Sequence, residues 1–444
     1  MKIKELKGYY KPLDVYRLFA DEKDSIFLDS SKEDSPYSLF SFIGVNPIWK
    51  FTSSGKNSYL DEIKLEGENP FKNLEDLLRK YKIEEKSNLP FIGGVIGYFS
   101  YDTGRILEEI PDISKEDFIL PDSKFLLYEN IIIFDIINKK MYLTALEIKG
   151  ENSIYHVEET LKGYKEYEEV VLHKKNTKFY SNFEKEEYEK KIDRLKEYIR
   201  SGDTYIANMT RRIWCNNNES AFNIYEKLRS INKAPFSAFM NFEDFQVISS
   251  SPERFLSIMD RVVTTRPIKG TRPRGKDEEE DKINREALIN SEKDKAELLM
   301  IVDLERNDLS KTCDKVKVTE LFKIEKYATV FHLVATVQGI LKNGVSEIQC
   351  LKECFPGGSI TGAPKIRSME IIEELEGLKR NLYTGSIGYF DLRGNCDFNI
   401  VIRTIIKKEN KAYFGVGGGI TWDSNPEEEW YETCDKAKAL MKVL

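Results

Sequence analysis

The most informative stretch of this chain is Thr265-Arg266-Pro267-Ile268-Lys269-Gly270-Thr271-Arg272-Pro273-Arg274-Gly275, where one lysine stands inside a basic and rigid segment. Proline at 267 and 273 fixes φ, and glycine at 270 and 275 lets the backbone approach a ligand closely. The segment suits an anionic ligand, and Lys269 can act as a nucleophile if burial or neighbouring cations deprotonate its amine. Taken alone, the same pattern is as typical of an exposed basic turn.

The length and composition of the whole chain are those of a globular protein. Its 444 residues are enough for two or three ordinary domains or one large composite unit. Hydrophobic residues make up 41% of it and aromatic residues 12%, which is enough to fill a core. Lysine and arginine number 68, aspartate and glutamate 75, and the net charge is −7. A nucleic-acid-binding protein needs a concentrated basic face, so we expect no nucleic-acid partner.

The chain carries no targeting signal that we recognise. Residues 1–7 have no apolar core typical of a signal peptide, and no uncharged apolar run approaches the roughly 20 residues of a membrane span. The six cysteines form no CxxC pair, which fits reduced thiols. We therefore expect a cytoplasmic protein with no membrane partner. With three histidines, a histidine-rich metal site is excluded.

Apolar periodicity and turn signals predict an α+β protein with mostly antiparallel sheets. A polar segment at 173–178 is the expected boundary between regions 1–172 and 180–444, packed as one composite unit. The predicted strands lie at 91–99, 125–146 (a hairpin), 204–214, 236–240, 246–250, 254–264, 386–391, 399–407 and 411–416. The predicted helices lie at 281–308, 365–380 and 426–443, with another that begins at a capping box of Ser181 and Glu184 and ends at Gly202.

Carboxylates on the predicted helices are candidate metal ligands. Glu429, Glu432 and Lys436 share one face of the last helix, and two carboxylates on one face can hold Mg²⁺. The alternative is a solvated face with an ordinary Glu432–Lys436 pair. Glu297 opens an apolar stretch, and a buried glutamate needs a partner such as a metal, unless its side chain reaches the surface.

Two glycine-rich segments, 355–365 and 417–419, can bind anions through backbone N–H groups. Neither has the spacing of a P-loop or a dinucleotide fingerprint. Glu253 lies at the entry of a predicted strand, where it is a candidate general acid or base. His332 lies in an apolar stretch, where a lone histidine is more often a core residue than a catalyst.

Together these segments resemble the chorismate-utilising enzymes, which share one fold. The N-terminal half adds GGVIGYFSYD at 93–102 and the pair Tyr37-Ser38, so the resemblance spans essentially the whole chain. It implies a sandwich core of mostly antiparallel sheets flanked by helices, with 180–444 as the chorismate-binding catalytic domain. The motifs are PERF at 252–255, PIKGTRPRG at 267–275, KDKAELLMIVDLERND at 293–308, FPGGSITGAPK at 355–365, GSIGYF at 385–390, NIVIRT at 399–404, GGGI at 417–420 and ExxETxxK at 429–436.

The resemblance implies a role for each matching residue. Lys269 would attack C2 of chorismate, and Glu253 would be the general acid that helps expel the C4 hydroxyl. Glu297 and Glu432 would bind Mg²⁺, with Glu429 supporting the ion through water, and the ion would hold the ring carboxylate. The remaining contacts to chorismate would come from Thr271, His332, Thr361, Tyr383, Arg403, Gly417, Gly418 and Lys436.

Within the family, Lys269 favours the aminodeoxychorismate synthases, which aminate C4, over the anthranilate synthases, which aminate C2 and usually carry alanine there. A separate glutaminase subunit is implied as the source of ammonia, because none of the cysteines lies on a G-x-C-x-G turn. Ile206 departs from the family, since aminating members often have glutamine there and water-using members usually have lysine.

Related subunits hold tryptophan in their N-terminal region, as an inhibitor or as a structural ligand. Residues that match such a pocket are also consistent with an ordinary core. A non-catalytic, tryptophan-binding homologue is the remaining alternative, although the intact set of site residues argues against it. The candidate pocket residues are Leu28, Ser30, Tyr37, Ser38, Pro235 and Phe236.

Overall fold

The computed structural model describes residues 1–32, 35–150, 152–168, 170–172, 176–326 and 330–444. The strands are β1 Lys2–Leu6, β2 Ser25–Asp29, β3 Phe40–Ser54, β4 Asn57–Leu60, β5 Ile63–Lys64, β6 Gly94–Phe99, β7 Ser123–Asp135, β8 Lys140–Ala145, β9 Phe179–Ser181, β10 Ile206–Asn216, β11 Phe236–Asn241, β12 Gln246–Ser251, β13 Arg254–Met259, β14 Val262–Arg266, β15 Ile268–Pro273, β16 Cys313–Lys326, β17 Val330–Leu341, β18 Gly362–Ala363, β19 Ser386–Asp391, β20 Cys396–Asn399, β21 Thr404–Lys408 and β22 Lys411–Ile420. The α-helices are α1 Pro12–Tyr16, α2 Pro70–Arg79, α3 Ser153–Leu161, α4 Lys185–Arg200, α5 Ala221–Ile231, α6 Glu278–Ile289, α7 Glu292–Thr312, α8 Glu347–Cys354, α9 Lys365–Glu376 and α10 Pro426–Val443.

The strands form two antiparallel arms that meet where β3 pairs with β7. One arm runs through β2, β11, β12, β21 and β22 to β10. The other runs through β6, β19, β20, β13 and β14 to β17. Apolar side chains from both arms, including Met240 and Val247 on one and Ile96 and Ile387 on the other, share one buried cluster. The expected sandwich of antiparallel sheets is therefore confirmed.

Both predicted regions contribute to this sandwich. β2 pairs with β11, and β6 pairs with β19, so strands from before residue 172 lie between strands from after residue 180. Residues 173–175 of the expected boundary lie outside the described residues, and the boundary itself stays a prediction. None of the described helices combines the length and the apolar character that crossing a membrane requires.

The local predictions are confirmed where the sequence signal is strong. The hairpin of β7 and β8 brings Asp135 opposite Lys140, and every residue of β7 is buried. α4 buries Tyr188, Ile192 and Leu195, as the helical spacing predicts. α10 begins at Pro426, where the side chain of the N-cap residue Asn425 accepts hydrogen bonds from two backbone N–H groups.

Four predicted elements are wrong in detail. The segment 254–264 is a hairpin of β13 and β14, and 399–407 contains the end of β20 and the start of β21 with a break between them. The helix predicted at 281–308 is two helices, because Ser291 caps a new one at α7. The capping box of α4 consists of Glu184 and Glu187, since Ser181 is the last residue of β9 and pairs with Ile213.

Candidate active site

The glycine run of β22 lies at the centre of a cluster of charged side chains. A Cβ atom added at Gly418 would lie 3.2 Å from Glu429 Oε2 and 3.3 Å from Glu432 Oε1. A Cβ atom added at Gly419 would lie 3.1 Å from Lys269 Nζ and 3.7 Å from Glu297 Oε2. Because residues 417–419 have no side chains, charged groups from β15, α7 and α10 can converge on this part of β22.

Lys269 and Glu253 are joined by one residue of the 355–365 loop. Lys269 Nζ donates a hydrogen bond to the carbonyl oxygen of Ser359 at 3.2 Å, and the Ser359 hydroxyl bonds to the Glu253 carboxyl. Burial raises the pKa of Glu253, against the opposing effects of that hydroxyl and of the Lys269 charge. A raised pKa favours the protonated form of this carboxyl, which suits a general acid. The segment around Lys269 is strand β15 and not an exposed turn.

Three carboxylates from two helices face this pair. Burial raises the pKa of Glu297, while Lys269 and Lys293 oppose the rise. Burial and the charge of Glu432 raise the pKa of Glu429, which accepts a hydrogen bond from Ser424 at 2.7 Å. Glu297 and Glu429 are nearly inaccessible, at 8% and 5% exposure, whereas Glu432 is exposed and pairs with Lys436.

Lys436 joins α10 to the glycine strand. Its Nζ donates to Glu432 Oε1 at 2.5 Å and to the carbonyl oxygen of Gly417 at 2.9 Å. The charge of Lys436 is the main reason why the pKa of Glu432 is lowered. The Glu432 carboxylate is therefore ionised, and its Oε1 lies 3.3 Å from the Cβ position of Gly418.

The three carboxylates offer oxygen donors, which are the ligands that Mg²⁺ prefers. A divalent cation would relieve the buried charges of Glu297 and Glu429, whose pKa values are raised, and would also pair with the ionised Glu432. Among the residues that the structure describes, no three His, Cys, Asp or Glu side chains already form a metal cage. A cation here would need water and ligand oxygens to complete its shell, which is the usual mode of Mg²⁺. Glu297 and Glu432 would hold it, with Glu429 behind them.

Arg403 and Tyr383 lie on the same side of the cluster as Lys436. Arg403, at a φ of 53°, donates to the carbonyl oxygen of Lys436 at 2.8 Å. Burial lowers the pKa of Arg403 and raises that of Tyr383. The Tyr383 ring packs so closely over Gly415 that a Cβ atom there would collide with it. Both side chains are thus fixed before any ligand binds.

His332 pairs with Thr271 across β15 and β17, and its Nδ1 lies 3.0 Å from the Thr271 hydroxyl. Burial is the main cause that lowers the pKa of His332 to about 4, and the charges of Arg403 and Lys436 add to it. The imidazole is therefore neutral at pH 7. Thr271 itself is exposed.

The 355–365 loop is held in place by hydrogen bonds from Thr361 and Arg380. Thr361 donates to the carbonyl oxygen of Gly357 at 2.8 Å, so its hydroxyl braces the loop itself. The buried guanidinium of Arg380 donates to the carbonyl oxygens of Ile360 and Asn208, at 2.8 and 2.7 Å. Ser359 and Lys293 lie within motifs that the sequence singled out. Arg380 and Asn208 act through distant partners and could not be found in this way.

A separate cavity of about 630 Å³ lies between the two arms of the sandwich. Five of the six candidate pocket residues line it: Leu28, Ser30, Tyr37, Pro235 and Phe236. Ser38 is not among the lining residues, and its hydroxyl is buried with no hydrogen-bond partner. Arg254, which follows Glu253 in sequence, also lines the cavity and pairs with Asp397 at 2.8 and 2.9 Å.

The chain belongs to the chorismate binding enzymes, because residues 23–442 match the profile of that family. It is 38% identical to aminodeoxychorismate synthase component 1 of Escherichia coli (strain K12), over 95% of this chain and 93% of the relative. It is also 38% identical to anthranilate synthase component 1 of Lactococcus lactis subsp. lactis (strain IL1403), over 100% of this chain and 99% of that relative. The solved structure of anthranilate synthase component I from Streptococcus pneumoniae TIGR4 has a TM-score of 0.81 at 30% identity, over 93% of each chain. The family resemblance is confirmed, and the chain is a chorismate-utilising enzyme.

Proposed function

We propose that this chain is the chorismate-aminating subunit that converts chorismate and ammonia into 4-amino-4-deoxychorismate, for 4-aminobenzoate and folate synthesis. The observation that carries the proposal is the position of the Lys269 amine, between the Ser359–Glu253 pair and the glycine strand. A lysine nucleophile divides one difficult substitution into two easier ones. The relative named aminodeoxychorismate synthase component 1 supports the same reaction.

In the first step the Lys269 amine attacks C2 of the ring while Glu253 donates its proton to the C4 hydroxyl. A C2–nitrogen bond forms, the ring double bonds shift, and water leaves from C4. In the second step ammonia attacks C4, the C2–nitrogen bond breaks, and its electron pair returns to Lys269 as the free amine. The surplus proton on the new C4 nitrogen passes to the Glu253 carboxylate, which restores the acid for the next turnover.

Chorismate is a dianion, so its site needs fixed positive charge. Arg403, backed by Tyr383, would bind the enolpyruvyl carboxylate, and Lys436 would face the ring carboxylate. A bound Mg²⁺ would supply a Lewis-acidic charge for that second carboxylate. Neutral His332 would adjoin the ring without adding charge.

Ammonia would come from a separate glutaminase subunit, since no cysteine of this chain has the amidotransferase context. The six cysteines form no CxxC pair in the sequence, and we place the enzyme in the cytoplasm. The isolated chain should accordingly use ammonium salts but not glutamine. Glutamine turnover by a highly purified chain would contradict the proposal that a separate glutaminase subunit supplies the ammonia.

Product analysis with chorismate, Mg²⁺ and ammonium chloride tests the proposal. We expect a product that yields 4-aminobenzoate only after a lyase is added. Fluorescent anthranilate would instead establish the second candidate, an anthranilate synthase component, which the Lactococcus lactis relative and the Streptococcus pneumoniae structure favour. No product with either nitrogen source, together with binding of tryptophan, would indicate a non-catalytic homologue.

A further inference from the structure

Asn208 is a residue of β10 whose main chain is held firmly next to the cluster of charged side chains. Its backbone N–H donates to the carbonyl oxygen of Thr361 at 2.8 Å, and its own carbonyl oxygen accepts from Arg380 at 2.7 Å. Asn208 lies opposite Gly419 in the ladder of β10 and β22. Because its N–H bonds to Thr361 and its carbonyl oxygen to Arg380, neither of which lies on β22, this is a pair without mutual hydrogen bonds, in which side chains come closest.

This register directs the Asn208 side chain toward Lys269. Directly opposed residues present their side chains on the same face, with Cβ atoms about 5 Å apart. The Cβ position of Gly419 lies 3.1 Å from Lys269 Nζ and 3.2 Å from Ile206 Cδ1. Ile206 precedes Asn208 by two residues and therefore shares its face. Asn208, Ile206 and the lysine amine thus surround one small space over the glycine.

The amide oxygen of Asn208 is buried with no hydrogen-bond partner. Such an acceptor lowers stability unless a ligand satisfies it. Ammonia carries three N–H donors and one lone pair, so an acceptor that takes one N–H leaves the lone pair free to attack. A neutral oxygen also suits ammonia better than a carboxylate would, since negative charge favours the ammonium ion, which has no lone pair. Ile206 offers no group that could activate water in the same space.

We infer that the amide oxygen of Asn208 binds ammonia through one N–H group and directs its lone pair toward C4 of the ring. The inference rests on the proposed function in that ammonia is the second nucleophile. C2 and C4 flank the same ring carbon, so a nitrogen held beside Lys269 lies next to C4 when the lysine is bonded to C2. Lys269 is then the first nucleophile, and Asn208 is the residue that positions ammonia, the second nucleophile.

The test is Asn208→Leu, which keeps the shape of the side chain and removes both polar atoms. We expect the KM for ammonia, measured with ammonium chloride at fixed pH, to rise about 10-fold, the value of one hydrogen bond of about 1.4 kcal/mol. The KM for chorismate and the rate of adduct formation on Lys269 without a nitrogen source should not change. The Tm should stay or rise, because an unsatisfied oxygen is lost. Asn223→Leu, the same change on the exposed face of α5, is the matched control.

An unchanged KM for ammonia would overturn the inference, and so would an equal effect on the KM for chorismate or on adduct formation. If the leucine variant does not fold, Asn208→Ala removes the same oxygen and is read in the same way. The wild-type product separates this inference from the proposed function. Anthranilate from the wild type would refute C4 amination while the ammonia measurements still decide the role of Asn208. Absence of any ammonium-dependent product would overturn both.

Discussion

Substitution of Gly419 by alanine is expected to lower the catalytic rate about 10²-fold without weakening the fold. The new Cβ would lie 3.1 Å from Lys269 Nζ, 3.2 Å from Ile206 Cδ1 and 3.7 Å from Glu297 Oε2. Ordinary contacts begin near 3.5 Å, so the amine must move by about 0.5 Å. The displaced atoms are the ends of flexible side chains, and the φ of Gly419 lies outside the left-handed region. Alanine should therefore stabilise the fold by about 0.4–1 kcal/mol through the unfolded chain.

Catalysis should respond in the opposite direction, because misplacing a nucleophile by a fraction of an ångström to 1 Å costs about 10²-fold in rate. The assay pairs the Tm with kcat for ammonium-dependent chorismate consumption. Gly417→Ala is the contrast: its Cβ would lie 2.5 Å from the backbone oxygen of Met209, which cannot yield, so the Tm should fall. Near wild-type kcat for Gly419→Ala, or a fall in its Tm like that of Gly417→Ala, would refute the reasoning.

Three further outcomes follow from the cluster of charged side chains. Chorismate without a nitrogen source should leave an adduct on Lys269 that intact-protein mass spectrometry and peptide mapping detect, and Lys269→Ala should lose most C4 amination; label on another residue would contradict this. EDTA should abolish activity and Mg²⁺ restore it, while Glu432→Gln keeps the Tm but lowers kcat by orders of magnitude; a near-normal rate at saturating Mg²⁺ would mean that Glu432 binds no ion. His332 has a pKa of about 4 when folded and 6.5 when unfolded, so the unfolded state binds the extra proton between these values. The contribution of His332 to the free energy of unfolding should thus rise with pH across this interval by up to about 3 kcal/mol, measured in urea titrations as the difference between the wild type and His332→Asn.

Local signals in the sequence were sufficient to predict the last helix and the face that carries its charged residues. The Asn425 cap, Pro426 and the spacing of Glu429, Glu432 and Lys436 all act within a few turns, and the structure reproduces them. The break at Ser291 is also local: the side chain accepts from the backbone N–H of Asp294, a cap signal that the apolar pattern of 281–308 obscured.

Non-local pairing decided what the sequence could not predict. The basic segment becomes a strand because Ile268 to Pro273 pair with β17, from Val334 back to Val330. Helix α4 begins after residue 184 and not at Ser181, because Ser181 pairs with Ile213 of β10 as the last residue of β9. Asn208 has no local feature that marks it, and its importance follows from the partner strand that places Gly419 opposite it. Such contacts depend on tertiary structure, which overrides local propensity.

The pairing of β2 with β11 and of β6 with β19 has a consequence for how the protein is made. Each of these early strands lacks its neighbour until a much later part of the chain has been synthesised. A nascent chain therefore carries unpaired apolar edges for a long time, which is the condition that favours aggregation and slows folding. Chaperone supply and translation speed, more than the strength of the finished core, should then set the yield of soluble enzyme. Fragments cut between the two regions should be recovered only when both are co-expressed.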